Sequence, residues 1–174
     1  KNIVIADLDK IDSCKFPDPY DLSRYEDLEK EIRNAGKKYV LFGWFTLFEK
    51  AQQLCGTENL FIDFYEKPQQ VHKLLEKIKD FIIGVLNSIE KYKGDIHGFR
   101  IGDDWGDQKG LLISIEMFRG FFKPLYEEII SRAHSLGFHV WLHSDGKIND
   151  LIQEFIDIGL DVVNIQSPQI LGIE

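Results

Sequence analysis

Long apolar runs are missing from this sequence. No stretch reaches the ~18 residues that a membrane-crossing helix needs, so no membrane span is expected. Cysteine is scarce. Cys14 and Cys55 are the only two, too few for a disulfide framework. With no signal-peptide pattern at the start, they point to a reducing cytoplasm. Positive charge is in deficit, with 21 Lys and Arg against 29 Asp and Glu and a formal net charge of -8. Nucleic-acid binders usually carry a basic face, and this balance argues against one. Low-complexity tracts and short repeats are absent. So are the phosphate-cradling G-x-x-x-x-G-K-S/T, the dinucleotide G-x-G-x-x-G, the nucleophile elbow G-x-S-x-G and a paired C-x-x-C. Nucleotide hydrolysis, dinucleotide redox chemistry and α/β-hydrolase catalysis lose support accordingly.

What is present is globular. The 174 residues are 44% hydrophobic, enough for one domain with a sizeable core and too apolar for a disordered chain. A grammar repeats along the chain: a helical pattern ends in glycine and a β-rich run follows at once. Gly36, Gly94, Gly137 and Gly159 precede predicted strands over 38–42, 96–101, 138–143 and 161–165. Glycine past a helix end adopts the left-handed conformation that terminates it. The segment 68–92 carries Val71, Leu74, Leu75, Ile78, Ile82, Val85 and Leu86 on one face of a 3.6-residue period. Pro68 suits its first turn. Ser114 is placed to cap a helix, and Pro124 to break that segment and open the next, with a further helix over 148–158. Residues 22–35 read as a polar helix and 2–8 as a doubtful strand. Residues 1–37 are thus a lead-in, and 38–174 form β/α repeats. Strands alternating with helices imply an α/β fold with a parallel sheet and right-handed crossovers. Four firm strands make either a small open sheet or part of a (β/α)8 barrel, which needs eight strands and typically ~250 residues.

In both architectures ligands bind at the C-terminal ends of the strands, and polar residues concentrate there. His143 and Asp145, two apart, point to one face of an extended chain. Imidazole and carboxylate are both competent zinc ligands. The alternative is structural: His143 donating to Asp145, or Asp145 capping the next helix. Asp103 and Asp104 are adjacent, so one of them faces the strand-end mouth, there to hold a cation, position a substrate or act as a base. The alternative is an acid pair bonding local N–H groups. Trp105, beside Gly106, suits a pocket wall, and Gln166 stands at the end of the fourth strand. Trp44 and Phe45, at the end of the first strand, either line the same pocket or pack beneath the loop. Arg100 needs a partner, for which Asp103 or Asp104 is the candidate. His97 and His139 lie at strand starts and read as structural, and Cys55 reads as packing rather than a nucleophile.

The run Gly102-Asp103-Asp104-Trp105-Gly106-Asp107-Gln108-Lys109-Gly110-Leu111-Leu112-Ile113-Ser114, with Met117-Phe118 and Phe121-Phe122-Lys123-Pro124 after it, resembles the uroporphyrinogen decarboxylase superfamily. So do Leu142-His143-Ser144-Asp145-Gly146-Lys147-Ile148 and the upstream Leu47-Phe48-Glu49-Lys50-Ala51 with Leu54-Cys55-Gly56. The resemblance spans about residues 38–170. It implies a TIM barrel of which this chain is the central part, an excised piece lacking the opening and the last strands. It also implies one of two activities. The first is methyl transfer between a small methylated compound and a corrinoid protein or thiol, with a zinc held by a motif resembling His-x-Cys-Gly. Here that motif reads His143-Ser144-Asp145-Gly146, with aspartate where cysteine would stand, and the third ligand is expected beyond the end of the chain. The second is cofactor-free decarboxylation of uroporphyrinogen, whose arginine-rich motif would lie upstream. The acidic strand ends favour methyl transfer, since a polycarboxylate needs a basic cavity. The expected site is therefore Asp103 and Asp104 as catalytic groups, His143 and Asp145 as metal ligands, and Trp44, Phe45, Trp105 and Gln166 against the substrate. A third reading is an inactive fragment that pairs with itself through open sheet edges into a homo-oligomer.

Overall fold

The computed structural model describes residues 3–172. Four parallel strands form one sheet: β1 (Leu41–Phe45), β2 (Gly98–Gly102), β3 (His139–Ser144) and β4 (Val162–Ile165). Their spatial order is their chain order, β1-β2-β3-β4. Helix α1 (Leu28–Ala35) precedes β1. Helices α2 (Phe48–Cys55), α3 (Thr57–Glu66) and α4 (Pro68–Ser88) lead from β1 to β2. The short α5 (Ile115–Met117), a π-helical turn (Phe118–Phe122) and α6 (Lys123–Ser135) lead to β3. Helix α7 (Asn149–Asp157) leads to β4. The alternation is that of a partial (β/α)8 barrel.

Each strand has two faces because successive side chains alternate. Phe99 and Ile101 of β2 and Val140 and Leu142 of β3 are fully buried against the helices. The α4 face of Val71, Leu74, Leu75, Ile78 and Ile82, all buried, belongs to the same core. Each such side chain contributes roughly 1.5–3 kcal/mol of transfer free energy. The opposite face carries Arg100, Trp141, His143 and Asn164, which the register aligns across neighbouring strands: Arg100 pairs Trp141, and His143 pairs Asn164. Burial thus assigns packing to one face and leaves polar groups on the other.

The helix-to-strand grammar holds at α6, where Gly137 takes φ 80°, a region a Cβ disfavours, and β3 begins two residues on. Four boundaries differ from expectation. Segment 2–8 is not a strand. Val4 and Ile5 both donate to the Leu54 carbonyl near the end of α2 (3.0 and 2.8 Å), and a 3-10 helix over Leu8–Ser13 starts under an Asp7 cap; residue 2 lies outside the described residues. Segment 22–35 divides into a 3-10 turn (Leu22–Tyr25), capped by Asp21, and α1. Strand β1 starts at Leu41 rather than 38, because the Val40 N–H is taken by His97 Nδ1 (3.0 Å). Finally, Pro124 opens the next helix, as expected, but without a break from the segment before it. The π turn runs straight into α6, whose first turn holds the proline. The cap at Ser114 is present, its hydroxyl accepting from the Met117 N–H (3.2 Å).

Candidate metal centre

The ends of β2 and β3 are locked to each other before either presents a functional group. The Asp103 N–H donates to the His143 carbonyl (3.0 Å) and the Lys147 N–H to the Asp107 carbonyl (2.8 Å). Ser144 Oγ accepts from the Trp105 N–H (3.1 Å). Gly146, at φ 81°, lies against Gly106 so closely that a Cβ there would fall 2.2 Å from the Gly106 carbonyl group. Two strand-end loops held this way keep Asp104 and Asp145 in a fixed relation.

Asp103 and Asp104 part company as alternation requires. Asp103 is fully buried. Its carboxylate accepts from the N–H groups of Leu47 and Glu49 at the start of α2 (both 2.8 Å) and from the Tyr126 hydroxyl. Burial pushes its carboxyl up to about 7, with these donors pulling the other way. The same burial and the Asp103 charge hold the Tyr126 phenol well above its usual range. Asp103 is therefore the pin between β2, α2 and α6, out of reach of the strand-end mouth, and the expectation of a catalytic role is corrected on that ground. Asp104 faces the mouth. It accepts the Asp145 N–H on Oδ1 (2.9 Å).

Asp104, His143 and Asp145 each offer one donor atom, and these atoms lie within 4.8 Å of one another. His143 Nε2 is 3.6 Å from Asp145 Oδ1. Two donors ~2.1 Å from a common ion at a tetrahedral angle stand about 3.4 Å apart. His143 Nδ1 lies 3.0 Å from Asn164 Oδ1. An amide oxygen only accepts, so Nδ1 carries the proton and Nε2 presents its lone pair to the carboxylates. This is the outer support that metal-binding histidines have. Asp145 Oδ1 is buried and has no hydrogen-bond partner, an arrangement that costs free energy unless something positive meets it. The donor set, two carboxylates and an imidazole, fits a divalent cation such as zinc and is harder than a thiolate site. Within the chain, Asp104 stands as a candidate third donor beside His143 and Asp145. Asp145 does not cap α7, which starts without a side-chain cap.

Glu49, in the first turn of α2, joins the cluster. Burial raises its carboxyl above the ordinary range, and the neighbouring Asp104 carboxylate, within hydrogen-bonding reach, raises it further. His143 acts in the opposite sense. Trp44 is 51% exposed, covers the Arg100 guanidinium (4.0 Å to the ring centroid) and lies 5.3 Å from the His143 ring. Arg100 bonds Asn164 (3.4 Å) rather than Asp103 or Asp104, since those carboxylates belong to α2 and to the mouth.

The other expected residues are dispersed. Trp105 is fully buried, stacked on Phe48 (4.8 Å) and edge-on to Phe118 and Phe122; it is core and not a pocket wall. Phe45 stacks on Phe99 (5.2 Å) on the helix side while one edge reaches a cavity beside β1. Gln166 is exposed just past β4, and among the described residues no hydrogen bond joins it to the cluster. His97 is structural, as expected. His139 meets the Tyr39 hydroxyl (3.2 Å) at the far end of the sheet. Cys55 is buried, its thiol pushed up to about 11 by that burial, which suppresses the thiolate a nucleophile needs. Sequence reasoning missed Glu49 and Asn164 as partners of the cluster. The signals were an acid in the first turn after β1 and the register opposite His143.

The sequence profile of the family described as uroporphyrinogen decarboxylase (URO-D) matches residues 4–170. The chain belongs to the uroporphyrinogen decarboxylase family. Among solved structures this URO-D chain is similar to a methyltransferase from Methanosarcina mazei, at 18% identity and a TM-score of 0.66. The likeness covers 80% of this chain and 40% of that one, so the URO-D chain spans about two fifths of the methyltransferase's length. At this identity the likeness establishes the fold. No curated protein matches the chain. Among the described residues no helix is long and apolar enough to cross a membrane.

Proposed function

We propose that the protein is an enzyme of the methyl-transferring kind, moving a methyl group between a small methylated compound and a corrinoid protein or thiol. In this reading a divalent metal, zinc in the first instance, is held by Asp104, His143 and Asp145. The observation that carries it is the orphaned Asp145 Oδ1 beside the His143 Nε2 lone pair. The Methanosarcina mazei methyltransferase, similar in fold, supports it. When bound, such an ion supplies Lewis acidity that favours the thiolate form of a thiol or polarises the group bearing the methyl.

The chain's own residues do the rest. Asn164 holds the proton on His143 Nδ1 and keeps the ring in one orientation. The Asp145 N–H holds Asp104. Glu49, in the first turn of α2 beside Asp104, is placed to contact a group bound against Asp104. Trp44 lies against the His143 ring on the β1 side. At the strand-end mouth itself two carboxylates, Asp104 and Asp145, stand where a polycarboxylate substrate needs positive charge, which ranks decarboxylation of such a substrate behind methyl transfer.

The test is metal content of the full-length protein, beside Asp145→Asn and His143→Ala. Near-stoichiometric metal in the wild type, at least tenfold weaker uptake in each variant and an unchanged circular dichroism spectrum are expected. A wild-type protein that carries no metal and takes up none on titration with zinc overturns the reading.

A further inference from the structure

Next to the cluster lies a cavity of about 680 Å³. That is within the ~300–1,000 Å³ usual for small-molecule sites. Its walls come from the lead-in segment, the end of β1, α2 and α4. Phe16, Phe45, Ile78, Phe81 and Ile82 make them mainly apolar. Trp44 and Glu49 line the cavity too, and both also adjoin the cluster, Trp44 through the His143 ring and Glu49 through Asp104. The cavity and the cluster therefore share a wall.

The charge of that lining runs against the rest of the molecule. Lys15, Arg24 and Lys50 line it with a single carboxylate, Glu49, whereas the chain as a whole has 29 acids to 21 bases. Among the described residues none of the three cations lies within salt-bridge distance of a carboxylate. Arg24 donates Nε to the Asp18 carbonyl (2.9 Å) and lies over the Phe81 ring (5.6 Å). Lys50 donates to the Gln53 side chain (2.9 Å). An apolar chamber with uncommitted cations recognises a molecule by burying an apolar body and pairing one negative end.

We infer that this cavity is the binding site of a mainly apolar organic anion, its charged end at Lys15 and Arg24 and its uncharged end against Trp44 and Glu49. The orientation rests on the methyl-transfer reading, in which the end facing the cluster reacts; the binding does not. A strongly cationic compound is disfavoured by the same wall. So is a small polar one, which leaves the Phe and Ile surfaces wet.

Naphthalene-2-carboxylate, its neutral carboxamide and 2-naphthylmethylammonium are near-isosteric probes. Isothermal titration of each into the full-length protein is expected to show the carboxylate binding at least tenfold tighter than either of the others. The double variant K15Q/R24Q, altered at two exposed side chains, is expected to bring the carboxylate to the level of the carboxamide and leave the carboxamide unchanged. Phe81→Trp, which fills the chamber, is expected to weaken both. Absence of binding, equal binding, preference for the ammonium, a carboxylate preference that survives K15Q/R24Q, or affinities untouched by Phe81→Trp each overturn the inference. The same titration on Asp145→Asn separates the two proposals. That variant is expected to lose metal and keep the carboxylate preference, so a metal-free wild type that still prefers the carboxylate refutes the metal site alone.

Discussion

Two consecutive aspartates do opposite work. Asp103 holds the start of α2 and the Tyr126 hydroxyl from inside the core, whereas Asp104 stands in the strand-end mouth with His143 and Asp145. Asp103→Ala leaves those donors buried without an acceptor, and we expect a loss of about 2–4 kcal/mol in urea unfolding. Asp104→Asn is expected to change stability by less than about 1 kcal/mol while weakening metal uptake. The Asp103 carboxyl is raised from 3.8 to about 7. Between those values the folded protein keeps a proton that the unfolded chain has released. Its contribution is therefore full below pH 3.8 and declines as pH rises towards about 7. Unfolding at pH 5 and pH 8 is expected to show a steeper fall with pH in the wild type than in Asp103→Asn; equal slopes sink the assignment. Alternation made it legible that one aspartate of the pair faces the mouth. Which one was not, because that depends on the side of β2 the helices cover.

At the scale of elements, glycine before strand was readable because it is a local rule, and all four strands lie where that rule places them to within three residues. Less legible was whatever depends on a distant partner. The start of β1 waits on His97, 57 positions away from Val40 in sequence, and the π turn of Phe118–Phe122 has no local signature. Glu49 escaped as a site residue because only the Asp103 cap on α2 brings it to Asp104. Gly146 shows what holds the loops after β2 and β3 together. A methyl group there collides with the Gly106 backbone and strains a φ of 81°. Gly146→Ala is expected to cost more than about 2 kcal/mol and to weaken metal uptake with it. Gly120→Ala, in open space, is the control and is expected to be neutral. Equal melting temperatures for the two variants contradict the locked-loop account.

Across the whole molecule the sheet is finished on one side only. Helices cover Phe99, Ile101, Val140 and Leu142, while Trp44, Arg100, Asn164 and the Tyr39–His139–Trp141 group occupy the other face. Among the described residues, strands β1 and β4 each have one neighbour in the sheet. Open edges and a partly aromatic face invite pairing. The protein is expected to sediment as concentration-dependent oligomers, and a monomer at high concentration refutes this. The strand order has a further side. Because neighbours in the sheet are also neighbours along the chain, the cluster is gathered in the order of synthesis: Glu49, then Asp104, then His143 and Asp145, and last Asn164. A nascent chain paused before β4 already holds the acids of the cluster, Glu49, Asp104 and Asp145. It lacks Asn164, which sets the nitrogen of the His143 imidazole that carries the proton, so the orientation of that ring is fixed only once β4 is added.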